Sequence, residues 1–267
     1  MIFPVIELFK SIQGEGRYTG YPSIFIRVTG CNLRCVFNGE ECDTPYTSHR
    51  PEAARYGFEE CITFIKENCH IRHIVITGGE PLLYMSGINS LIEEAVKIYA
   101  ENEKEAPVIT VETNGTLPLD LVRYEHLRSV SLWSISPKLS SSEPKESDGV
   151  PAEWVKRHRE NRYDRKIFTD NIGKILSSGE ARIQLKFVYT DSGCINEIKE
   201  NYICPVTAIC GNRKPDPERI AVMIMPEGVS PEKINAKRDE MIACCIREGW
   251  IYCTRLHITL FGNERGK

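Results

Sequence analysis

Three cysteines lie close together near the start of the chain, at Cys31, Cys35 and Cys42. They follow the apolar run SIFIRVTG (residues 23–30), whose β-branched and aromatic residues predict a buried strand that ends at a glycine. Thiolates gathered on a loop are soft ligands that suit an iron–sulfur cluster or a thiophilic metal. A 4Fe–4S cluster held by three cysteines keeps one iron open, and an open iron can bind and activate a second molecule.

Two other interpretations of these cysteines compete with a cluster. Free cysteines are often buried as small apolar residues, but this loop is too polar to be core. A structural zinc site requires four ligands, and His49 is the nearest candidate for the fourth.

A second motif favours the cluster. HIVITGGEP (residues 73–81) joins an apolar strand to a Gly-Gly-Glu turn. Glycines there allow a ligand to approach the backbone closely, and Glu80 is suited to hold an ammonium group. The turn alone is a weak signal, because many strand-to-helix turns contain glycine. Combined with the three-cysteine loop, it becomes a strong one.

Together these motifs resemble those of the radical S-adenosylmethionine (SAM) enzymes, in which the open iron binds the amino and carboxyl groups of SAM. Within that superfamily the chain resembles the 7-carboxy-7-deazaguanine synthase family of the queuosine pathway. The matching segments are ELFKSIQGEG, CNLRC, CDTPY, TGGEP, VETNGT, SPK, MPEG and LHITLFGNERG, spread over residues 7–266. One departure is that six residues separate Cys35 from Cys42, where the superfamily usually has two, and Asn38-Gly39 predicts a turn in this additional segment.

The resemblance implies a lyase that converts 6-carboxy-5,6,7,8-tetrahydropterin into 7-carboxy-7-deazaguanine and releases ammonia. It also implies a 4Fe–4S cluster, SAM and Mg²⁺ as cofactors, an electron donor such as flavodoxin or ferredoxin, and a homodimer. Hydrogen abstraction would come from cluster-bound SAM, so no further catalytic side chain is expected. The alternatives are a radical SAM enzyme for another substrate, such as an activase, and a zinc-stabilised binding module without catalysis.

The same resemblance assigns the site residues. Cys31, Cys35 and Cys42 are the expected cluster ligands, and Thr44 is the expected ligand of Mg²⁺. The residues expected to bind substrate are Ile12, Gln13, Gly14, Glu15, Arg27, Thr77 and His257. The residues expected to bind SAM are Gly79, Glu80, Ser136, Pro137, Lys138, Ile224, Met225, Pro226 and Glu227.

Side-chain chemistry agrees with several of these roles. The forked guanidinium of Arg27 suits a substrate carboxylate, and amide and carboxylate groups match the donors and acceptors of a pterin edge. Magnesium prefers hard oxygen ligands and keeps several waters, as a site with one threonine requires. Without the motifs, Arg27 would be interpreted as an ion-pair residue, Thr44 as a turn residue before Pro45, and Lys138 as a surface charge.

Length, charge and composition narrow the possible domain organisation, partners and location of the protein. At 267 residues the chain is long enough for one large α/β domain, which we expect to span residues 1–267. A formal net charge of −3 gives no basic field for nucleic acid. We expect no membrane span and no signal peptide. Eleven cysteines, an odd number in a chain of this size, indicate reduced thiols and hence a cytoplasmic location.

Strand-like runs alternate with helical patterns along the chain. The predicted strands are residues 23–29, 73–77, 108–112, 129–135, 183–189 and 220–225, and the predicted helices include 58–68, 87–103 and 230–248. This alternation predicts βαβ units and a parallel sheet. Six strands fit an incomplete (β/α)6-type radical SAM barrel, open on one side.

Two segments do not belong to this pattern. Residues 140–179 are predicted to be an irregular polar and basic insertion, whose basic run is a solvated helix face or, alternatively, a lid or dimer contact. Cys194, Cys204 and Cys210 are predicted to be structural cysteines rather than ligands of an auxiliary cluster, because their spacing and context are helix-like.

Overall fold

The structure is a computed structural model that describes residues 2–267. Its strands are β1 (Val5–Ile12), β2 (Pro22–Val28), β3 (Val36–Phe37), β4 (Glu40–Glu41), β5 (His73–Gly78), β6 (Val108–Thr113), β7 (Leu132–Ile135), β8 (Arg182–Tyr189), β9 (Ile220–Pro226) and β10 (Ile251–Tyr252). Its α-helices are α1 (Phe58–Glu67), α2 (Met85–Glu101), α3 (Ala152–Asn161), α4 (Arg165–Ser177), α5 (Cys194–Ile198), α6 (Cys204–Ile209), α7 (Pro231–Ala236), α8 (Arg238–Glu248) and α9 (Leu256–Phe261). Within residues 2–267, no helix has the length and apolar character needed to cross a bilayer.

Eight of the strands form one sheet in the order β1-β2-β5-β6-β7-β8-β9-β10. β1 runs antiparallel to β2, and the other neighbouring pairs in this sheet are parallel. Among the described residues β1 and β10 are not paired with each other, so the barrel stays open between them. The predicted incomplete α/β barrel with a mostly parallel sheet is confirmed, and β1 and β10 extend it beyond the six predicted strands.

Two predicted elements have different bounds in the structure. The strand predicted at residues 129–135 begins only at Leu132, because Glu125–Ser129 form a 3-10 helix that buries Leu127. The helix predicted at residues 230–248 is divided into α7 and α8 at Lys237, whose backbone is not helical and whose ammonium group contacts the carbonyl of Thr190.

The segment at residues 140–179 is more regular than predicted. α3 and α4 occupy residues 152–161 and 165–177, so the prediction of irregular structure is wrong there, whereas a helix in the basic run agrees with α3. One face of α3 packs on the cysteine loop: His158 is fully buried and accepts a hydrogen bond from the Arg34 backbone N–H at 3.2 Å. The Arg34 guanidinium lies 3.7 Å from the ring centroid of Trp154.

The period-two alternation of the strands separates the core from the barrel interior. In β8, Leu185 and Phe187 pack in the hydrophobic core, whereas Lys186 and Val188 face the interior cleft. The same alternation directs polar and aromatic side chains of neighbouring strands into the cleft, namely Phe25, Arg27, Thr77, Glu112 and Ser134. The parallel sheet thus supplies a rigid wall of inward-facing functional groups.

His73 joins three strands at the start of β5. Its Nδ1 lies 2.7 Å from Ser23 Oγ on β2, and its Nε2 lies 2.8 Å from Thr110 Oγ1 on β6. Burial lowers the pKa of His73 to about 4. The unfolded chain binds a proton at this histidine near pH 6.5, while the folded chain does not do so until about pH 4.

The free energy of unfolding is therefore expected to decrease as the pH falls from 6.5 towards 4. Each unit of pKa difference corresponds to ~1.4 kcal/mol. We expect urea denaturation midpoints to decrease between about pH 7 and pH 5, and His73→Gln to lose part of that decrease. Partly exposed His126 provides the control substitution, His126→Gln. Identical pH profiles for His73→Gln and the parent would contradict the prediction.

Candidate active site

A cleft of about 500 Å³ opens at the carboxyl ends of the parallel strands. The ends of β2, β5, β6, β7, β8 and β9 contribute to its wall, together with the cysteine loop and the C-terminal residues 263–267. This is the edge at which α/β barrels carry their sites.

Most of the predicted site residues meet in this one cleft. The predicted substrate, cluster and metal residues that line it are Ile12, Gln13, Gly14, Glu15, Arg27, Cys31, Cys35, Cys42, Thr44, Thr77 and His257. The predicted SAM residues that line it are Gly79, Ser136, Lys138, Met225, Pro226 and Glu227. Three predicted SAM residues, Glu80, Pro137 and Ile224, are buried behind the wall.

Glu80 differs most from its predicted role. Its carboxylate is fully buried and accepts hydrogen bonds from Leu82 N at 2.9 Å, Thr113 Oγ1 at 2.7 Å and Asn114 N at 2.7 Å. Burial raises the pKa of Glu80, and these hydrogen bonds partly offset the increase. Glu80 therefore ties the turn after β5 to the end of β6, and it is the backbone of Gly79 that faces the cleft.

Gly79 occupies a position that only glycine fits. A Cβ atom there would lie 2.1 Å from Gly30 O, which belongs to the loop that begins the cysteine segment. The two loops are joined by the hydrogen bond from Glu80 N to Gly30 O at 2.8 Å. The glycine turn and the cysteine loop are thus packed backbone to backbone.

The additional residues between Cys35 and Cys42 form a β-hairpin. β3 and β4 pair antiparallel, and the turn residues Asn38 and Gly39 have φ values of 49° and 83°, as a two-residue Asn-Gly turn requires. The Cys42 backbone N–H donates to Cys35 O at 3.1 Å. The hairpin therefore begins and ends at two residues, Cys35 and Cys42, that are hydrogen-bonded to each other. As a result, Cys42 lies beside Cys35.

Of the three cysteines of the loop, Cys35 is buried and Cys31 and Cys42 are half-buried. Burial raises the pKa of Cys31 to about 12 and raises the pKa values of Cys35 and Cys42 above their usual range. His49 directs both ring nitrogens away from them, since Nε2 lies 3.0 Å from Cys35 O and Nδ1 lies 3.6 Å from Glu41 Oε1. Within residues 2–267, no three His, Cys, Asp or Glu side chains are grouped as ligands of a single metal ion. His49 is therefore not placed to complete a zinc site.

A buried charge network surrounds Glu15, one of the predicted substrate residues, at the cleft. Lys186 Nζ lies 2.5 Å from Glu15 Oε2, and Arg255 Nε donates to Glu15 Oε1 at 3.1 Å. Burial would raise the pKa of Glu15, but the charges of Lys186 and Arg255 outweigh it and hold that pKa well below its usual range. Glu15 is therefore an ionised, acceptor-only group at neutral pH.

Arg27 presents its guanidinium edge to the cleft. Its Nε donates to Glu7 Oε2 at 2.6 Å. Its two Nη atoms make no hydrogen bond to another residue within 2–267. Glu7 also contacts Arg265 of the C-terminal segment, whose guanidinium lies 3.7 Å from the ring centroid of Tyr46. Glu7 thus holds the Nε side of Arg27, a residue that lines the cleft.

Two further groups of side chains hold other predicted substrate residues in place. Glu112 accepts hydrogen bonds from Thr77 Oγ1 at 2.8 Å and from Gln13 Nε2 at 3.3 Å. Gly14 lies against the ring of His257, and a Cβ atom at this glycine would be 2.1 Å from His257 Nδ1. Burial lowers the pKa of His257, and the Glu15 charge partly opposes this, so the imidazole is neutral at pH 7.

Comparison with known proteins identifies the class of this site. Residues 25–183 match the Radical SAM superfamily. A 7-carboxy-7-deazaguanine synthase from Halobacterium salinarum is 36% identical over 262 residues, covering 97% of this chain and 91% of the relative. The synthase from Rhodopirellula baltica is also 36% identical over 262 residues, covering 98% and 88% respectively. This chain belongs to the 7-carboxy-7-deazaguanine synthase family.

This family belongs to the radical SAM enzymes. The chain is therefore an enzyme of a class that uses a 4Fe–4S cluster and SAM. The crystal structure of QueE from Escherichia coli has a TM-score of 0.56 and 20% identity, covering 96% of this chain and 94% of that chain. This similarity confirms the fold. The three thiols line this one cleft, as ligands of a cluster would, and the hairpin brings the backbone of Cys42 next to that of Cys35 despite the six-residue gap.

Shortening the hairpin tests whether the synthase-family chain needs it to hold a cluster. Deletion of residues 37–40 leaves two residues between Cys35 and Cys42. Because the ends of the hairpin are already hydrogen-bonded to each other, we expect the variant to retain about four iron atoms per chain, as one 4Fe–4S cluster requires. Iron and sulfide analysis after anaerobic reconstitution measures this. Loss of iron with retained folding would contradict the prediction.

Lys186 and Arg255 lie outside the matching motifs, and Glu112 lies within VETNGT but was assigned no role from the sequence. Lys186 carried a detectable signal, because in β8 it follows Arg182 and Gln184 at alternate positions, with apolar residues between them. Arg255 stands two residues before His257, but its partners are distant in sequence, so its role becomes visible only in the fold.

Proposed function

We propose that this chain is a 7-carboxy-7-deazaguanine synthase that contracts the ring of 6-carboxy-5,6,7,8-tetrahydropterin with release of ammonia, using SAM and Mg²⁺. The observation that carries the proposal is the meeting, in one cleft, of three thiols, a glycine turn, an arginine and a glutamate held between Lys186 and Arg255. Its near full-length similarity to named synthases supports the same activity.

On the cofactor side, Cys31, Cys35 and Cys42 would hold the cluster. When bound, the cluster and SAM supply hydrogen abstraction from the substrate. The Gly79 backbone would face the amino acid end of SAM. Lys138 Nζ donates a hydrogen bond to Ser136 Oγ at 3.1 Å, and these two side chains would face the ribose or carboxylate region of SAM. The adenine would lie along Met225, Pro226 and Glu227. In this proposal Glu80, Pro137 and Ile224 support that wall from behind.

On the substrate side, the two Nη atoms of Arg27 would grip the substrate carboxylate as a fork. Ionised Glu15 would accept hydrogen bonds from N–H groups of the pterin, and neutral His257 would offer one donor and one acceptor. Gln13 and Thr77 are held by Glu112 at the same end of the cleft. Buried groups with fixed partners position a substrate without reorganisation, which favours reaction at the bound radical source.

Thr44 is the proposed protein ligand of Mg²⁺. Its backbone carbonyl already accepts hydrogen bonds from Thr47 N at 3.0 Å and Thr47 Oγ1 at 2.8 Å, which fixes the loop that carries its side chain. Substrate oxygens and waters would supply the remaining ligands.

Several features of the proposal rest on the family resemblance. They are a homodimer and a flavodoxin- or ferredoxin-type electron donor, whereas the proposed cytoplasmic location rests on the odd number of cysteines. We also propose that residues 1–267 function as one domain, because a single sheet uses strands from Val5 to Tyr252.

Anaerobic turnover tests the proposed function. The reconstituted protein is incubated with the carboxy-tetrahydropterin, SAM, Mg²⁺ and a reductant, and the deazaguanine product is read by mass. Product formation that requires all four components is the expected result. SAM cleavage without the deazaguanine product would instead indicate a radical SAM enzyme for another substrate.

A further inference from the structure

Arg255 contacts three segments to which the proposed function gives different tasks. Its Nε donates to Glu15 of the substrate segment, its Nη2 pairs with Asp43 of the cysteine loop, and its Nη1 donates to the carbonyl of Gly228 beside the SAM segment. The side chain is 5% exposed, so these partners are its surroundings and not water. We propose that Arg255 is a positioning residue that sets the substrate, metal and SAM segments relative to one another. This inference rests on the proposed function.

The position of Arg255 is itself fixed by the backbone. Leu256 N donates to Gly14 O at 2.8 Å, which pins the start of α9 to the substrate segment. Cys253 N donates to Ile224 O at 2.8 Å, which pins the end of β10 to β9. The guanidinium is therefore held between two anchored backbone points and acts as a rigid connection.

Each contact bears on a neighbouring functional residue. Asp43 stands between Cys42 and Thr44, so an ion pair at Asp43 orients both the last cluster ligand and the proposed Mg²⁺ ligand. Gly228 follows Glu227 and has a φ of +119°, and a Cβ atom there would lie 2.5 Å from Lys233 Cβ. That backbone conformation directs the Gly228 carbonyl at Arg255.

Arginine is suited to this task and lysine is not. A guanidinium offers five N–H donors in a planar fork and can serve three acceptors in different directions, whereas an ammonium on a flexible stem is a single point charge. Glu15 has a second cation, since Lys186 contacts its other carboxylate oxygen at 2.5 Å. Loss of Arg255 therefore removes the connection between segments without leaving Glu15 unpaired.

The experiment compares Arg255→Lys with Lys186→Gln. Of the three segments that Arg255 contacts, Lys186 contacts only the substrate segment, through Glu15. In anaerobic binding measurements on the reconstituted enzyme, we expect Arg255→Lys to weaken SAM about 3- to 10-fold, the effect of one lost hydrogen bond. We expect it also to raise the Mg²⁺ concentration needed for half-maximal turnover. Lys186→Gln should raise the substrate KM and leave SAM affinity and the Mg²⁺ requirement unchanged. Arg123→Gln, at an exposed surface position, is the control for arginine loss in general.

The other outcomes overturn the inference. If Arg255→Lys and Lys186→Gln both change only the substrate KM, Arg255 merely supports Glu15. If Arg255→Lys lowers the unfolding midpoint but leaves SAM affinity and the Mg²⁺ requirement unchanged, it is merely structural. Should Arg255→Lys fail to fold, Asp43→Asn removes the charge of one partner alone and must shift the Mg²⁺ requirement. If the parent binds SAM but makes no deazaguanine, the proposed function fails, while SAM affinity still tests Arg255.

Discussion

Cys42→Ala is expected to lose both its bound iron and all detectable synthase activity. Cys42 lies beside Cys35 through the closing hydrogen bond of the hairpin, and its thiol lines the cleft with those of Cys31 and Cys35. A cluster with three protein ligands has no spare thiolate to replace the missing one. Cys31→Ala and Cys35→Ala should behave in the same way.

Iron and sulfide content and the visible absorbance of the reconstituted protein measure this loss directly. Cys204→Ala is the matched control, because Cys204 is exposed on α6 and does not line the cleft. This control should keep its iron and its activity. About four iron atoms per chain in Cys42→Ala would exclude Cys42 as a ligand.

Arg27→Ala is expected to weaken substrate binding severely while SAM still binds. The substitution removes the charge-assisted fork proposed for the substrate carboxylate, and truncating one partner of such a buried pair costs ~2–5 kcal/mol, or about 30-fold or more in affinity. Substrate binding and SAM binding are measured separately on the anaerobic enzyme. Unchanged substrate affinity would show that Arg27 serves only as the ion-pair partner of Glu7.

Thr44→Ala supplies the contrast to Arg27→Ala. It removes one neutral oxygen from a metal that keeps waters, so substrate should still bind while turnover loses its stimulation by Mg²⁺. The backbone hydrogen bonds at Thr44 do not involve its side chain, so the loop should persist. A variant that responds to Mg²⁺ as the parent does would make Thr44 a turn residue only.

Long apolar runs made most of the barrel predictable. The predicted strands at β2, β5, β6, β8 and β9 agree with the structure to within one residue at each end. β1 was not among them, because its charged and polar residues weaken the strand pattern, and it is stabilised by antiparallel pairing with β2. The short edge strand β10 depends on β9 in the same way.

The site was predictable to the level of motifs and not of orientation. A Gly-Gly-Glu turn does not reveal whether its carboxylate faces a ligand or the backbone, and in the structure Glu80 binds Asn114 and Thr113. Likewise, the basic run in residues 140–179 gave no sign that Trp154 would stack on Arg34, since this contact joins segments 120 residues apart. Such non-local contacts become visible only when the chain is folded.

Because of the hairpin between Cys35 and Cys42, the positions of these two cysteines do not depend on the length of the loop between them. Antiparallel strands that end in a fixed two-residue turn lengthen by pairs of residues, and the four residues beyond the usual gap are two such pairs. We therefore expect insertions and deletions of residue pairs in this hairpin to leave Cys42 beside Cys35. A search pattern that demands a fixed cysteine spacing would overlook this chain, whereas one that asks which loop ends are hydrogen-bonded together would find it.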